Sequence, residues 1–304
     1  MPRIISSLEP HKKDKDIYPV MEAIRVSAIA MENWIGEQDR TIAHMDEWTG
    51  RATADGAELV VFPELCVSGY MHSTHALKYS EPIPGPSTAR LIEVAKKHNC
   101  ILCYGILENE SDIAYNTQVV VNGDGIIGTQ RKIHMPGPEY MYWRGGFDIQ
   151  PIDIGKAKLG ITICYDSLFA EMARTLYFRG AEILVMPFAY NTPGERATRA
   201  DEDISVLTYR VHCWTNGCYG IVVNNAGEHE KMDFEDSQLT FPGWAGVFGP
   251  GGDIMEWTRE PGNGEAMVTA DLEPNALVDR RKDCYFPPRC LRPGMYESLN
   301  KAGY

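Results

Sequence analysis

The chain has 304 residues, 44% of them hydrophobic and 23% charged, the composition of a soluble globular protein with ample material for a core. Its formal net charge is −13, with 29 basic against 42 acidic residues and no long basic run, so nucleic acid and anionic membranes make poor partners. No apolar run reaches the roughly 18 residues of a membrane span, and the opening MPRIISSLEPHKKDKDIYPV carries charge where a secretory signal needs an apolar stretch.

The expected location is therefore the cytoplasm, with the eight cysteines as reduced thiols. Residues 1–22 read as a charged N-terminal extension. AIRVSAIAM (23–31) reads as a strand, and 38–55 as a helix with Ile42, Met45 and Trp48 at helical spacing. AELVVF (57–62) has the continuous apolar character of a strand covered on both faces. A helix is predicted near 86–98 and a strand at 100–107. Strands at 114–121 and 126–132 are joined by the turn Asn122-Gly123-Asp124-Gly125. KLGITIC (158–164) is a further strand, followed by a helix over 167–179 and the strand AEILVMP (181–187). A polar helix is expected at about 199–216, then strands at 219–224, 244–249 and 265–271. Residues 286–304, within a tail rich in Pro and aromatics, read as a C-terminal arm. Interleaved strands and helices with several hairpins indicate an α/β layered protein. No composition break suggests a linker, so 23–285 is read as one domain.

Three strand ends carry reactive residue types. Cys164 closes an apolar run just before a helical pattern, where helix N–H groups lower a thiol's pKa and can hold an oxyanion. Position alone equally allows a buried core cysteine, the reading given to Cys100, Cys103, Cys213 and Cys218. Glu64 follows Pro63 at the mouth of the 57–62 strand; taken singly it reads as a surface carboxylate. Lys132 ends the 126–132 strand, and Glu139 lies in the Pro/Gly-rich loop beyond; alone, this lysine reads as an ordinary surface charge. His134, two residues on, is expected to support the same region by packing or hydrogen bonding. The Cys100-x-x-Cys103 pair lies mid-strand, where positions three apart face opposite ways, so core packing is expected rather than redox chemistry.

VFPEL around Glu64, QRKIH around Lys132 and ICYD around Cys164 together resemble the nitrilase superfamily of carbon–nitrogen hydrolases. The resemblance spans roughly residues 23–285 and implies an α-β-β-α sandwich. It implies that Glu64 is a general base, Lys132 the stabiliser of a tetrahedral intermediate, Cys164 the nucleophile and Glu139 a second glutamate orienting substrate and water. It further implies that the Tyr165 backbone N–H completes the oxyanion site with Lys132, that no cofactor or metal is needed, and that the chain forms a dimer or tetramer. Association is expected through the helix at 167–179, with Phe286 and the arm able to reach a partner.

Within that superfamily the pattern Cys-Tyr-Asp-x-Arg-Phe-x-Glu of omega-amidases is kept at Cys164, Tyr165, Asp166, Phe169 and Glu171, with Leu168 in place of its arginine. The expected function is hydrolysis of a small amide. An N-carbamoyl amidohydrolase is the alternative, followed by a nitrilase or a non-catalytic binding member. Tyr70, Tyr140, Trp143, Phe188, Ala189 and Asn191 are the candidate substrate-binding residues.

Overall fold

Two six-stranded sheets face one another across an apolar core. The computed structural model describes residues 21–70, 76–191, 203–229, 239–258 and 264–301. The predicted N-terminal extension lies outside them up to residue 20; Met21 is buried, and the Glu22 N–H donates to the Lys156 carbonyl.

The chain enters through β1 (Ile24–Ala30), α1 (Gln38–Ala54) and β2 (Leu59–Val61). It continues through α2 (Pro86–His98), β3 (Ile101–Glu110), β4 (Ile113–Asn122) and β5 (Gly125–Arg131). The second half runs β6 (Ile152–Asp153), β7 (Lys158–Ile161), α3 (Ala170–Phe178), β8 (Ile183–Phe188), α4 (Ile204–Asn216) and β9 (Tyr219–Asn224). Then come β10 (Ala226–His229), β11 (Leu239–Pro242), β12 (Ala245–Phe248), β13 (Ile254–Trp257), β14 (Ala266–Leu272), α5 (Pro274–Lys282) and α6 (Pro287–Cys290). The first sheet has the order β14-β1-β2-β3-β4-β5 and the second β13-β12-β9-β8-β7-β6, while β10 and β11 pair as a separate ribbon. Each sheet has a parallel centre, β1-β2-β3 in one and β7-β8-β9 in the other.

Alternation of side chains along these strands builds three apolar layers. Val26, Leu59, Val61 and Cys103 meet Leu159, Ile161, Val185 and Ile221 between the sheets. Val60, Phe62 and Leu102 point the other way, onto Ile42, Met45 and Trp48 of α1 and Leu91 of α2. Leu184, Met186 and Val222 likewise meet Leu176 of α3 and Val206 and Cys213 of α4. Each fully buried aliphatic side chain of this kind contributes about 1.5–3 kcal/mol. The result is the four-layer α-β-β-α sandwich expected from the sequence. Cys103 lies between the sheets and Cys100 in the α1/α2 layer, on opposite faces as predicted.

Local signals explain the helix ends. Pro86 occupies the first position of α2, and Asn99 closes it in the left-handed region at φ 51°. Asp203 caps α4 by accepting from the Ser205 N–H at 2.8 Å. The predicted strand at 158–164 stops at Ile161, and the predicted helix at 167–179 starts only at Ala170. Between them Cys164–Leu168 form a 3-10 turn. Cys164 has φ +49°, which no strand accommodates, and Phe169 is extended, so it separates the turn from α3. At the other end Phe286 is buried edge-on against Tyr177 of its own chain, so the start of the arm folds back rather than reaching outward.

Candidate active site

Glu64 stands just past β2, at the carboxyl end of the parallel strands, where functional groups of α/β proteins collect. The chain turns sharply there: Leu65 has φ +51°. The turn lies directly on Gly105 of β3, where an added Cβ would fall 2.2 Å from the Leu65 nitrogen and 2.7 Å from the Pro63 carbonyl. Only glycine permits that approach. The Glu64 carbonyl accepts from Asn225 Nδ2 at 3.0 Å, and Asn225 Oδ1 accepts from Asn33 Nδ2 at 2.7 Å. The Glu64 carboxylate is fully buried. Its Oε1 accepts from Asn116 Nδ2 at 2.6 Å and Lys132 Nζ at 2.8 Å. Its Oε2 has no hydrogen-bond partner among the described residues.

Lys132 extends the β5 ladder by one residue, its N–H donating to the Asn116 carbonyl at 2.8 Å. Its side chain is fully buried and also reaches Glu139, at 2.9 Å from Oε1 and 2.8 Å from Oε2. Burial opposes the ammonium charge, but Glu64, Cys164 and Glu139 outweigh it and hold the pKa above the ordinary lysine range. Glu139 in turn accepts from the Tyr70 hydroxyl at 2.8 Å. Burial raises the Glu139 carboxyl to about 7; Lys132 pulls against that and Glu64 adds to it.

Cys164 begins the turn that follows β7 and is partly exposed. The sequence led us to expect a lowered thiol pKa from nearby helix N–H groups. The opposite holds: burial, reinforced by Glu64 and Glu139, pushes the thiol up, against Lys132 and a main-chain hydrogen bond at Ala189. A nucleophilic role for this sulfur would need a base beside it to take the proton.

The other predicted residues are placed as follows. Tyr165 is the second residue of the turn, where the first N–H groups of a helical turn lack internal acceptors. Trp143 is buried edge-on to Tyr70 at 5.8 Å, and Phe241 flanks the same ring at 6.2 Å. Ala189 follows β8 with its main chain at the sulfur. Asn191 Oδ1 accepts from the Thr240 N–H at 2.9 Å and ties its segment to β11. Phe188 points into the α3/α4 layer, 5.4 Å from the Tyr209 ring, and Tyr140 is exposed. The fold thus gathers Glu64, Lys132, Glu139, Cys164, Tyr70 and the Ala189 main chain, and keeps Phe188 in the outer core.

Sequence reasoning missed Asn116 and Asn225. Both are fully buried polar residues in apolar surroundings, IAYNTQVVVN and YGIVVNNAG, and that contrast was the available signal. Among the described residues no group of three or more His, Cys, Asp or Glu could hold a metal ion, and no helix is long and apolar enough to cross a membrane.

A buried ammonium bridging two carboxylates beside a thiol puts a proton acceptor and a donor for an oxyanion in one place. The sequence pattern of the family described as Carbon-nitrogen hydrolase matches residues 25–282. A protein of Pyrococcus abyssi named "Nitrilase" is 29% identical over 283 residues, covering 86% of this chain and 99% of that one. The "N-carbamoylputrescine amidase" of Arabidopsis thaliana is 27% identical over 272 residues, 85% of this chain and 89% of that one. Among solved structures, a carbon–nitrogen hydrolase from Helicobacter pylori G27 superposes with a TM-score of 0.83 at 23% identity, covering 93% of this chain and all of that one.

Proposed function

We propose an activity for this chain, which belongs to the carbon–nitrogen hydrolase family of the nitrilase superfamily: thiol-dependent hydrolysis of a small amide to a carboxylic acid and ammonia. The observation that carries the reading is the buried Lys132 ammonium shared between Glu64 and Glu139 next to Cys164.

An amide carbonyl is a poor electrophile, and a covalent intermediate divides its hydrolysis into two easier steps. Glu64, through Oε2, takes the Cys164 proton as sulfur attacks the carbonyl carbon. The C=O becomes an oxyanion, held by Lys132 and the Tyr165 N–H. Loss of one such donor costs about 2.7–4 kcal/mol of barrier in acyl transfer. The Glu64 proton passes to the leaving nitrogen, the C–N bond breaks, and ammonia departs from a Cys164 thioester. Water, oriented by Glu139 and deprotonated by Glu64, adds to the thioester; the C–S bond breaks, and the proton returns to sulfur. Lys132 stays protonated throughout, its ammonium held between the two carboxylates.

A second reading, cleavage of an N-carbamoyl compound to an amine, carbon dioxide and ammonia, is favoured by the relatives named N-carbamoylputrescine amidase. The test is an ammonia-release screen over amides, carbamoyl compounds and nitriles, with Cys164→Ala in parallel. We expect turnover on an amide that vanishes in the variant, which should stay folded. Wild-type turnover by Cys164→Ala would overturn the reading. Slow thiol labelling spread over several cysteines, in place of rapid, substrate-protected labelling of Cys164, would favour a binding protein.

A further inference from the structure

Asp166 is fully buried, and its carboxylate is surrounded by main-chain donors from two segments. The Ile133 N–H lies 3.2 and 3.3 Å from its two oxygens, and the His134 N–H lies 2.8 Å from Oδ1. The Ile163 N–H donates to Oδ2 at 3.2 Å. The His134 ring adds a fourth contact, Nδ1 to Oδ1 at 2.8 Å, and stacks on Phe169 with centroids 3.7 Å apart. Ile133 is the residue after Lys132, and Ile163 the residue before Cys164. One carboxylate therefore holds the chain on the far side of the lysine and on the near side of the cysteine. These two segments leave different sheets, β5 and β7.

The need for such a tie is local. Cys164 is a non-glycine residue at φ +49°, a conformation that persists only where its surroundings impose it. Lys132 lies beyond the last residue of β5, with one more ladder bond to hold it. The turn has other anchors: Thr162 Oγ1 and Ser167 Oγ lie 2.8 Å apart, and His212 Nε2 lies 2.5 Å from the Ser167 carbonyl. Those anchors hold the turn to β7 and α4 but make no contact with the lysine segment. Among the described residues the hydrogen bonds that join the two all end on Asp166, and the stack of His134 on Phe169 lies beside them.

We propose that Asp166, supported by His134, is a positioning residue that fixes the Lys132 ammonium relative to the Cys164 sulfur. This rests on the amidohydrolase reading. Acyl transfer then loses rate when Asp166 is changed because the oxyanion donor and the nucleophile no longer share a frame. Substrate binding is set elsewhere in the pocket and is retained.

The test is Asp166→Asn, which keeps the shape but turns an N–H group toward donors that require an acceptor. Activity is normalised to the amount of folded, alkylatable Cys164. The expected result is a kcat lower on the order of a hundredfold with KM little changed, the penalty of a small misplacement of reacting groups. A kcat per folded molecule equal to wild type, or a loss carried by KM alone, overturns the proposal. Should Asp166→Asn fail to fold, His134→Phe decides. It keeps the stacking on Phe169 and removes one bond to Asp166, so kcat should fall by roughly five- to tenfold at constant KM, the size of one hydrogen bond. An unchanged kcat in His134→Phe then overturns the proposal. Cys164→Ala is assayed alongside: if it is inactive while the Asp166 variant is normal, only the positioning role fails. If Cys164→Ala is active, the reading itself fails.

Discussion

The Tyr70 hydroxyl donates to the same Glu139 oxygen, Oε1, that receives the Lys132 ammonium, at 2.8 and 2.9 Å respectively. Two donors on one oxygen favour the carboxylate, yet burial still raises Glu139 from its ordinary 4.5 to about 7. The net direction fixes a pH dependence. Between those values the folded chain binds more protons than the unfolded one, so stability falls as pH rises. The contribution is fully present below about 4.5 and lost above about 7. Urea midpoints at pH 5 and pH 8 should show this decline, and Glu139→Gln should flatten it. His44, raised by its bond to Glu265, gives a slope of the same sign that persists in the variant. An equal slope in both proteins would show that Glu139 does not titrate in this window.

Lys132 is the only cation contacting Glu64 and Glu139 among the described residues. Lys132→Met leaves two carboxylates buried and unpaired. Removing one partner of a buried pair costs about 3–5 kcal/mol. The variant should lose that stability in urea unfolding as well as its activity, whereas Cys164→Ala should lose activity alone. Adding Glu139→Gln to Lys132→Met should restore part of the loss. Equal stability of Lys132→Met and wild type would contradict the buried bridge.

The parts of this site that could be seen in the sequence are those fixed by local pattern. Glu64, Lys132 and Cys164 each end an apolar run, and α2 is legible to its end residues because Pro86 and Asn99 bound it. The 3-10 turn was missed because Ile163 and Cys164 look as strand-like as the residues before them, while the Asp166 carboxylate inside the turn finds partners 32 and 33 positions away. Phe188 sits next to Ala189 in sequence, but strand alternation turns its ring to the helices. The short β10, β11 and β13 carry too few residues for a periodic signal.

Substrate charge should matter. Two carboxylates and one ammonium line the gathered site, and Leu168, where omega-amidases carry arginine, is exposed and cannot donate. Arg144 is exposed and Arg174 lines an outer groove with Glu171 and His212, while Arg196 lies outside the described residues. Uncharged amides should therefore have higher kcat/KM than omega-carboxylate analogues of equal length. A preference for the carboxylate, lost on replacing one of these arginines, would reverse this expectation.

Self-association should use the α3/α4 face. Phe178, Val211 and Trp214 are about half exposed there, beside a groove of about 510 Å³ lined by Arg174, Leu291, Tyr296 and Leu299. Contiguous apolar exposure is what self-association would bury. Light scattering should give a dimer or tetramer, and Val211→Glu should shift it toward the monomer. A monomeric wild type at working concentration would remove this face from consideration.

Gly105 has no side chain to lend to any chemistry, yet the elbow bearing Glu64 rests on its bare Cα. In a saturation screen scored by activity, position 105 would stand out alongside Glu64 and Cys164. A map of intolerant positions would then count a residue with no side chain among the reactive ones. Measuring folded yield beside activity separates them: Gly105→Ala displaces backbone and should lower both, while Cys164→Ala removes only an atom and should lower one.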